Sequence, residues 1–306
     1  MILKPRHTYN SPMFRTFKDK LISTDFLITA EVSPPKGTDL RGSLADAELL
    51  RGWADALNVT DNQKAIMRMS PLAVSKALVD AGHEVIMQLT CRDRNRLALQ
   101  SDLLGAYAMG IRNICVMTGD HTTKGDHPQT KPVYDLDSVQ LLAIIKNMQE
   151  GCDLAGNKIE NPPDFVVGAV TNTDSSKTAQ MMKLRKKAKS GIDFIQTQAV
   201  YDIGQFETFM ESIGDINVPI IAGVIPLKSA NMARFMNQNI PGINVPAEII
   251  DRIEKAEKPI DEGMSICAEA IDEINKLCRG IHIMPIGKHD NTANILRMAG
   301  IRKNNQ

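Results

Sequence analysis

The sequence predicts an α/β protein, a (β/α)8 TIM barrel forming a single domain with a short N-terminal arm. Three observations carry that prediction. Short β-rich runs alternate with helical patterns eight times over, which argues for a parallel sheet closed on itself. Polar side chains gather at the C-terminal ends of those runs, where barrels build their active sites. No G-x-G-x-x-G and no G-x-x-x-x-G-K-[ST] follows any run, which weakens the rival reading, an open doubly wound sheet. A chain of 306 residues has the length such a barrel needs, roughly 250 residues.

Residues 1–24 contain Lys4, Arg6, Arg15 and Lys18 but no apolar signal core. They read as an arm outside the barrel, with 25–306 as the barrel itself. The β-rich runs span residues 26–33, 56–60, 84–90, 113–118, 165–171, 193–199, 219–225 and 281–286. Helical patterns fill the gaps, for example at 71–81, 97–109, 137–150, 178–190 and 248–278. In the first run Ile28, Ala30 and Val32 share one face and suit packing against helices. Thr29, Glu31 and Ser33 share the other and should point inward. The same parity groups Asn58 with Thr60, Ile86 with Gln88 and Thr90, Thr118 with Asp120, and Gln196 with Gln198. Residues 122–131 and 151–164 look like insertions, and no linker separates two domains.

Composition excludes several classes. Lys+Arg and Asp+Glu both number 36, so nothing suggests the basic surface of a nucleic-acid binder. No apolar stretch approaches the roughly 20 residues that span a bilayer; membrane insertion is not expected, and cytoplasmic residence is the default. The five cysteines, Cys91, Cys115, Cys152, Cys267 and Cys278, form no C-x-x-C pair and read mainly as small buried hydrophobes. Asp120, His121, Asp126 and His127 are ordinary loop residues with no third His at ligand spacing, so no metal site is expected.

Three residues stand out as candidates for chemistry. Glu31 ends the first run in T-A-E-V-S-P-P; a carboxyl desolvated at a barrel mouth can act as a general acid, or it is a salt-bridging loop carboxylate. Asp120 follows Gly119 in M-T-G-D-H and either projects over the mouth or caps a turn. Gln198 ends the sixth run with an inward amide that suits a heterocycle or a structural hydrogen bond. The run K-L-R-K-K-A-K, from Lys183 to Lys189, reads as a solvated helix face in which one or two cations could meet a phosphate.

The stretches I-T-A-E-V-S-P-P, A-L-N-V-T-D-N-Q, V-I-M-Q-L-T-C-R-D-R-N, G-I-R-N-I-C-V-M-T-G-D, V-Y-D-L-D-S, F-I-Q-T-Q-A-V-Y-D and G-V-I-P-L together resemble the methylenetetrahydrofolate reductase family from about Phe26 to Arg302. The resemblance implies a flavin-binding barrel that reduces 5,10-methylenetetrahydrofolate to 5-methyltetrahydrofolate, with FAD as cofactor and FMN as the smaller alternative. Electrons would come from NAD(P)H or a redox partner subunit, in a homo- or hetero-oligomer. The alternative is a non-catalytic folate- or flavin-binding subunit of a larger redox complex. On this resemblance Glu31 is the acid, Asp120 lies between pterin and flavin, and Gln198 contacts the folate ring. Thr60, Thr118 and Gly119 match flavin-contacting positions, and Lys187 matches a lysine at the flavin phosphates. The sequence departs from the common pattern at Gln88 (usually His), Asn172 (usually Tyr), Gln180, Lys183 and Met284. A substrate-stacking aromatic maps to Phe235 or Met236, and Lys288 is a candidate for the folate's glutamate tail.

Overall fold

A computed structural model of the chain describes residues 15–23, 25–285 and 291–303. Its centre is a closed parallel barrel with strands in sequence order. They are β1 (Leu27–Val32), β2 (Ala56–Val59), β3 (Val85–Thr90), β4 (Asn113–Met117), β5 (Val166–Thr171), β6 (Phe194–Ala199), β7 (Ile220–Val224) and β8 (Gly280–Ile283). Pairing of β1 with β8, Leu27 opposite Gly280 and Ala30 opposite Ile283, closes the ring. Each strand falls on an expected run. The last ends at Ile283, short of the expected 286, and Ile286 lies outside the described residues.

Helices α2 (Arg41–Leu50), α3 (Pro71–Asp80), α4 (Arg96–Ala108), α5 (Ser138–Gln149), α6 (Thr178–Lys189) and α7 (Ile203–Ser212) follow β1 to β6 in turn. After β7 come α8 (Ala230–Asn239), α9 (Ala247–Lys255) and α10 (Pro259–Ile274), and α11 (Thr292–Met298) follows β8. The single helical pattern expected over 248–278 is thus two helices. Pro259 disfavours a helical conformation at Lys258, which sits at φ −126° and ψ 84°, and then serves as a good first residue for α10. Local signals set other helix starts. The Asp137 side chain accepts from the Val139 and Gln140 N–H groups, and the Gln140 side-chain oxygen accepts from the Asp137 N–H, a reciprocal cap that fixes where α5 leaves β4's loop. Among the described residues no helix is long and apolar enough to cross a membrane.

Strand parity holds where the strands are regular. Ala30, Val32, Leu57 and Val59 pack outward against Ala47 and Leu50 of α2 and Val74 and Leu78 of α3. At the N-terminal end of the barrel, Leu27, Ala56, Ile86, Cys115, Val166, Phe194 and Ile221 form an apolar layer. Gly168 makes room for it, since a Cβ there would lie 2.2 Å from the Phe194 ring. Cys91, Cys115 and Cys267 are buried as expected, whereas Cys152 is exposed and Cys278 half-buried.

A helix preceding β1, α1 (Phe17–Ile22), closes the bottom of the barrel. Phe17 is fully buried, and its ring meets Phe194 edge-on with centroids 5.4 Å apart. Glu84 accepts from the Phe17 N–H, Lys18 pairs with Asp164 at 3.0 Å and Lys20 with Asp55 at 2.6 Å, while Arg279 donates to the Ser23 carbonyl. These partners precede β3, β5, β2 and β8, so one short helix ties four strand starts together. Truncating a buried Phe removes both transfer energy and packing, and Phe17→Ala is expected to destabilise the protein by about 3–5 kcal/mol. An unchanged midpoint in chemical denaturation would show that this ring does not hold the barrel's lower layer.

Candidate active site

Above the apolar layer the barrel interior turns polar. Asn58 donates to Gln196 at 2.7 Å, Gln196 donates to Thr29 at 3.2 Å, and Thr29 Oγ1 lies 3.0 Å from His282 Nδ1. Burial pushes the His282 imidazole down to about 4, so this belt is neutral and internally satisfied. One step further toward the C-terminal ends, polar groups no longer satisfy one another.

Glu31 is the clearest case. It is only 6% exposed, and burial pushes its carboxyl up to about 7; the Gln63 amide, Lys64 and Arg68 pull the other way. Gln63 Nε2 reaches both carboxyl oxygens, at 3.1 and 3.3 Å. Gln63 belongs to the loop after β2, where Asn62, Lys64 and Ala65 all have left-handed backbones (φ 44°, 56° and 57°). For residues other than Gly and Asn this costs roughly 1 kcal/mol or more each, and neighbouring loops hold it in place. Arg92 donates to the Asn62 carbonyl, Asp126 accepts from the Met67 N–H, and Gly125 lies so close to the Ala65 carbonyl that a Cβ would sit 1.8 Å from its oxygen.

Asp120 stands across from this loop on the turn after β4. Gly119 makes the turn at φ 90°, with Thr90 and Arg92 close enough that a Cβ would meet them at 3.1 and 3.2 Å. Arg92, buried and forked onto Asp93, donates to the Asp120 carbonyl, and Tyr134 donates to the Gly119 carbonyl. The backbone is therefore fixed while the Asp120 carboxylate remains half-exposed, 3.8 Å from Lys124. Asp61, buried under the same loops, receives a fork from Arg94 and two hydrogen bonds from Thr90. Asp126 binds Lys36, His127 and the Met67 N–H, a structural role for the loop expected at 122–131.

The remaining predicted residues distribute unevenly. Thr60 Oγ1 is buried with no partner among the described residues, as is Oε1 of Gln180 in the first turn of α6. Gln88 is buried near the mouth without a side-chain hydrogen bond among the described residues. The Gln198 amide oxygen accepts from the Ala199 N–H at 2.9 Å, and a register shift between Gln196 and Ala199 breaks the simple parity expected there. Asn172, at the end of β5, packs against Gly242, whose backbone lies where a Cβ would be 2.6 Å from the Asn172 Cγ. Lys183 bonds Thr118 Oγ1 at 3.2 Å and lies 3.9 Å from Asp137. Lys187 instead turns inward: it is 7% exposed, donates to the Val170 carbonyl at 2.5 Å, and burial together with Lys183 pushes its ammonium down to about 8. Met236 is core and Phe235 is exposed, so Phe235 is the accessible member of that pair. Lys288 lies outside the described residues. Sequence reasoning missed Gln63, Arg92 and Asp61; only the buried charge pattern D-N-Q followed by C-R-D-R hinted at them.

The family model described as methylenetetrahydrofolate reductase matches residues 16–300. Methylenetetrahydrofolate reductase 2 of Schizosaccharomyces pombe is 25% identical over 230 residues, 70% of this chain and 35% of that protein. Methylenetetrahydrofolate reductase 1 of the same organism is 24% identical over 273 residues, 85% of this chain and 43% of that protein. The chain therefore spans well under half the length of these curated relatives. Among solved structures, a Clostridium thermocellum protein described as binding two copies of 5-methyl-5,6,7,8-tetrahydrofolic acid aligns with a TM-score of 0.65 at 16% identity, covering 92% of this chain and 96% of that one. At that identity the likeness shows the barrel fold alone.

The acidity of Glu31 has a consequence for stability. Folded, it titrates at about 7 against an ordinary value of 4.5. Between those values the folded protein holds a proton that the unfolded chain releases, so the group's contribution is full below the unfolded value and lost as pH rises through the folded one. Glu31→Gln, neutral throughout, is expected to stabilise the protein by about 3 kcal/mol above neutrality, and the gain should vanish in acid. Identical unfolding midpoints of the two proteins at alkaline pH would refute the burial penalty.

Proposed function

The chain belongs to the methylenetetrahydrofolate reductase family, and from that premise we propose that it catalyses flavin-dependent reduction of 5,10-methylenetetrahydrofolate to 5-methyltetrahydrofolate. One observation carries the chemistry: a buried carboxyl at the end of β1 whose acidity lies near neutrality, where a general acid is most effective.

The residues fit a flavin. A buried polar atom without a partner costs about 1–3 kcal/mol, and Thr60 Oγ1 and Gln180 Oε1 are two such atoms that the hydroxyl and amine groups of a nucleotide cofactor would satisfy. Thr60, Gln88, Thr118, Gly119 and Asn172 would hold it. Lys183, bonded to Thr118, is the cation we assign to its phosphates, while the buried Lys187 donates to the Val170 carbonyl. FAD is the proposed cofactor, with FMN the smaller alternative.

When bound, the reduced flavin supplies a hydride for the methylene carbon. Glu31 supplies the proton: it protonates the folate nitrogen that leaves the methylene carbon, so the five-membered ring opens and that carbon becomes able to accept the hydride. The product gains one hydride and one proton, and Glu31 is left as carboxylate to be reprotonated from solvent. Gln198 uses its amide NH2, since its oxygen is committed to Ala199, and Asp120 offers a carboxylate on a rigid turn; together they orient the pterin. Of the two candidates for the substrate-stacking aromatic, Phe235 is the exposed one.

The folate half-reaction tests this directly. The chain is purified anaerobically, its released flavin identified, and the bound flavin reduced with dithionite before methylenetetrahydrofolate is added. Return of the oxidised visible band is expected, and in Glu31→Gln that return should slow by about 100-fold or more with flavin still bound. Flavin that stays reduced in the parent protein would overturn the folate assignment and favour the non-catalytic binding subunit. Bleaching of the oxidised protein by NADH or NADPH identifies a nicotinamide donor; no bleaching with either assigns the electrons to a partner subunit.

A further inference from the structure

Gln63 is an exposed residue whose side chain nevertheless ends at the buried acid. Its Nε2 is shared between both oxygens of Glu31, at 3.1 and 3.3 Å. The segment that carries it adopts left-handed backbone at Asn62, Lys64 and Ala65, a conformation no run of non-glycine residues takes up by preference. Three other loops hold it there. The β3 loop contributes Arg92, bonded to the Asn62 carbonyl, and Asp93, which accepts from the Asn62 amide. The β4 loop contributes Gly125 against Ala65 and Asp126 on the Met67 N–H. The β1 loop contributes the Pro34 carbonyl, which accepts from Arg68, while Arg68's own N–H donates to the Asn62 side chain. A surface glutamine needs none of this.

We infer that Gln63 is a positioning residue for Glu31: its amide fixes the plane of the carboxyl and, by donating into the anionic form, competes with the proton for it. The inference rests on the acid role proposed above. Lys64 on the same loop and Arg68 at its end also face Glu31 and favour its anion, but at longer range and without a hydrogen bond to it. Desolvation raises the carboxyl's proton affinity and Gln63 restrains the rise. The loop thus holds the acid where it can both keep a proton in the resting enzyme and give it up to a nitrogen.

The test reads Glu31 itself. In the full chain labelled with ¹³C-glutamate, the protonated Glu31 carbonyl band is identified in the infrared by its loss in Glu31→Gln, and its titration is followed with pH. In Gln63→Ala the titration is expected to move upward by about one pH unit. In Gln63→Met, of similar length but without a donor, it should move by a similar amount. The pH above which the folate half-reaction falls off should move by the same amount, with flavin content unchanged. A Glu31 titration unmoved in both variants would overturn the inference. The infrared result does not depend on turnover, so a parent protein that fails to reoxidise with folate would sink the proposed function while still testing Gln63.

Discussion

The interior of a closed barrel is shielded from water, and that constraint organises this structure from bottom to top. An inward polar group must find a partner in the ring, find a ligand, or change its protonation. At the base the problem is avoided with an apolar layer sealed by Phe17. In the middle it is solved internally, by the belt of Thr29, Asn58, Gln196 and a neutral His282. At the mouth it is not fully solved. Thr60 has no partner among the described residues, and Glu31 keeps its proton toward neutrality. A scaffold rigid enough to leave polar groups unsatisfied in one layer needs full satisfaction in the layer beneath.

The strained loop after β2 follows the same logic. Left-handed Lys64 and Ala65 would relax in a free peptide, so their geometry must be imposed from outside. The β3 and β4 loops do this with charged groups that are themselves buried or paired: Arg92 forks onto Asp93, and Arg94 forks onto Asp61. Strain and desolvation are thus concentrated at the mouth, and the ion pairs there hold backbone in place more than they add net stability. Sites of this kind commonly trade stability for function.

Most of the scaffold was legible in the sequence because period-two alternation and strand–helix spacing are local properties. Glu31 was legible for the same reason: its face follows from Thr29 two residues earlier. What escaped depended on irregularity or on other segments. Within the register shift between Gln196 and Ala199 the Gln198 amide oxygen accepts from the Ala199 N–H, which no parity argument foresees. Gln63 sits in a polar stretch like any other until the left-handed backbone around it is known. The break at Pro259 was present in the sequence, but the apolar period continues across it and masked the boundary.

The basic run on α6 shows how much a helix's phase decides. Arg185 faces outward to Asp215, Lys183 leans to Thr118 at the mouth, and Lys187 enters the wall with Met181 and Leu184. A lysine whose ammonium is held by a backbone carbonyl and titrates at about 8 is a poor anchor for a phosphate. One of its N–H groups is engaged by the Val170 carbonyl, and its side chain is buried. Lys183, one turn earlier, is half-exposed and bonds Thr118 Oγ1, and the Gln180 oxygen without a partner among the described residues lies one turn before it on the same helix. On the proposed reading, Lys183 is therefore the α6 cation assigned to the phosphates. Burial, and next the like charge of Lys183, make the Lys187 ammonium give up its proton more readily than a free lysine.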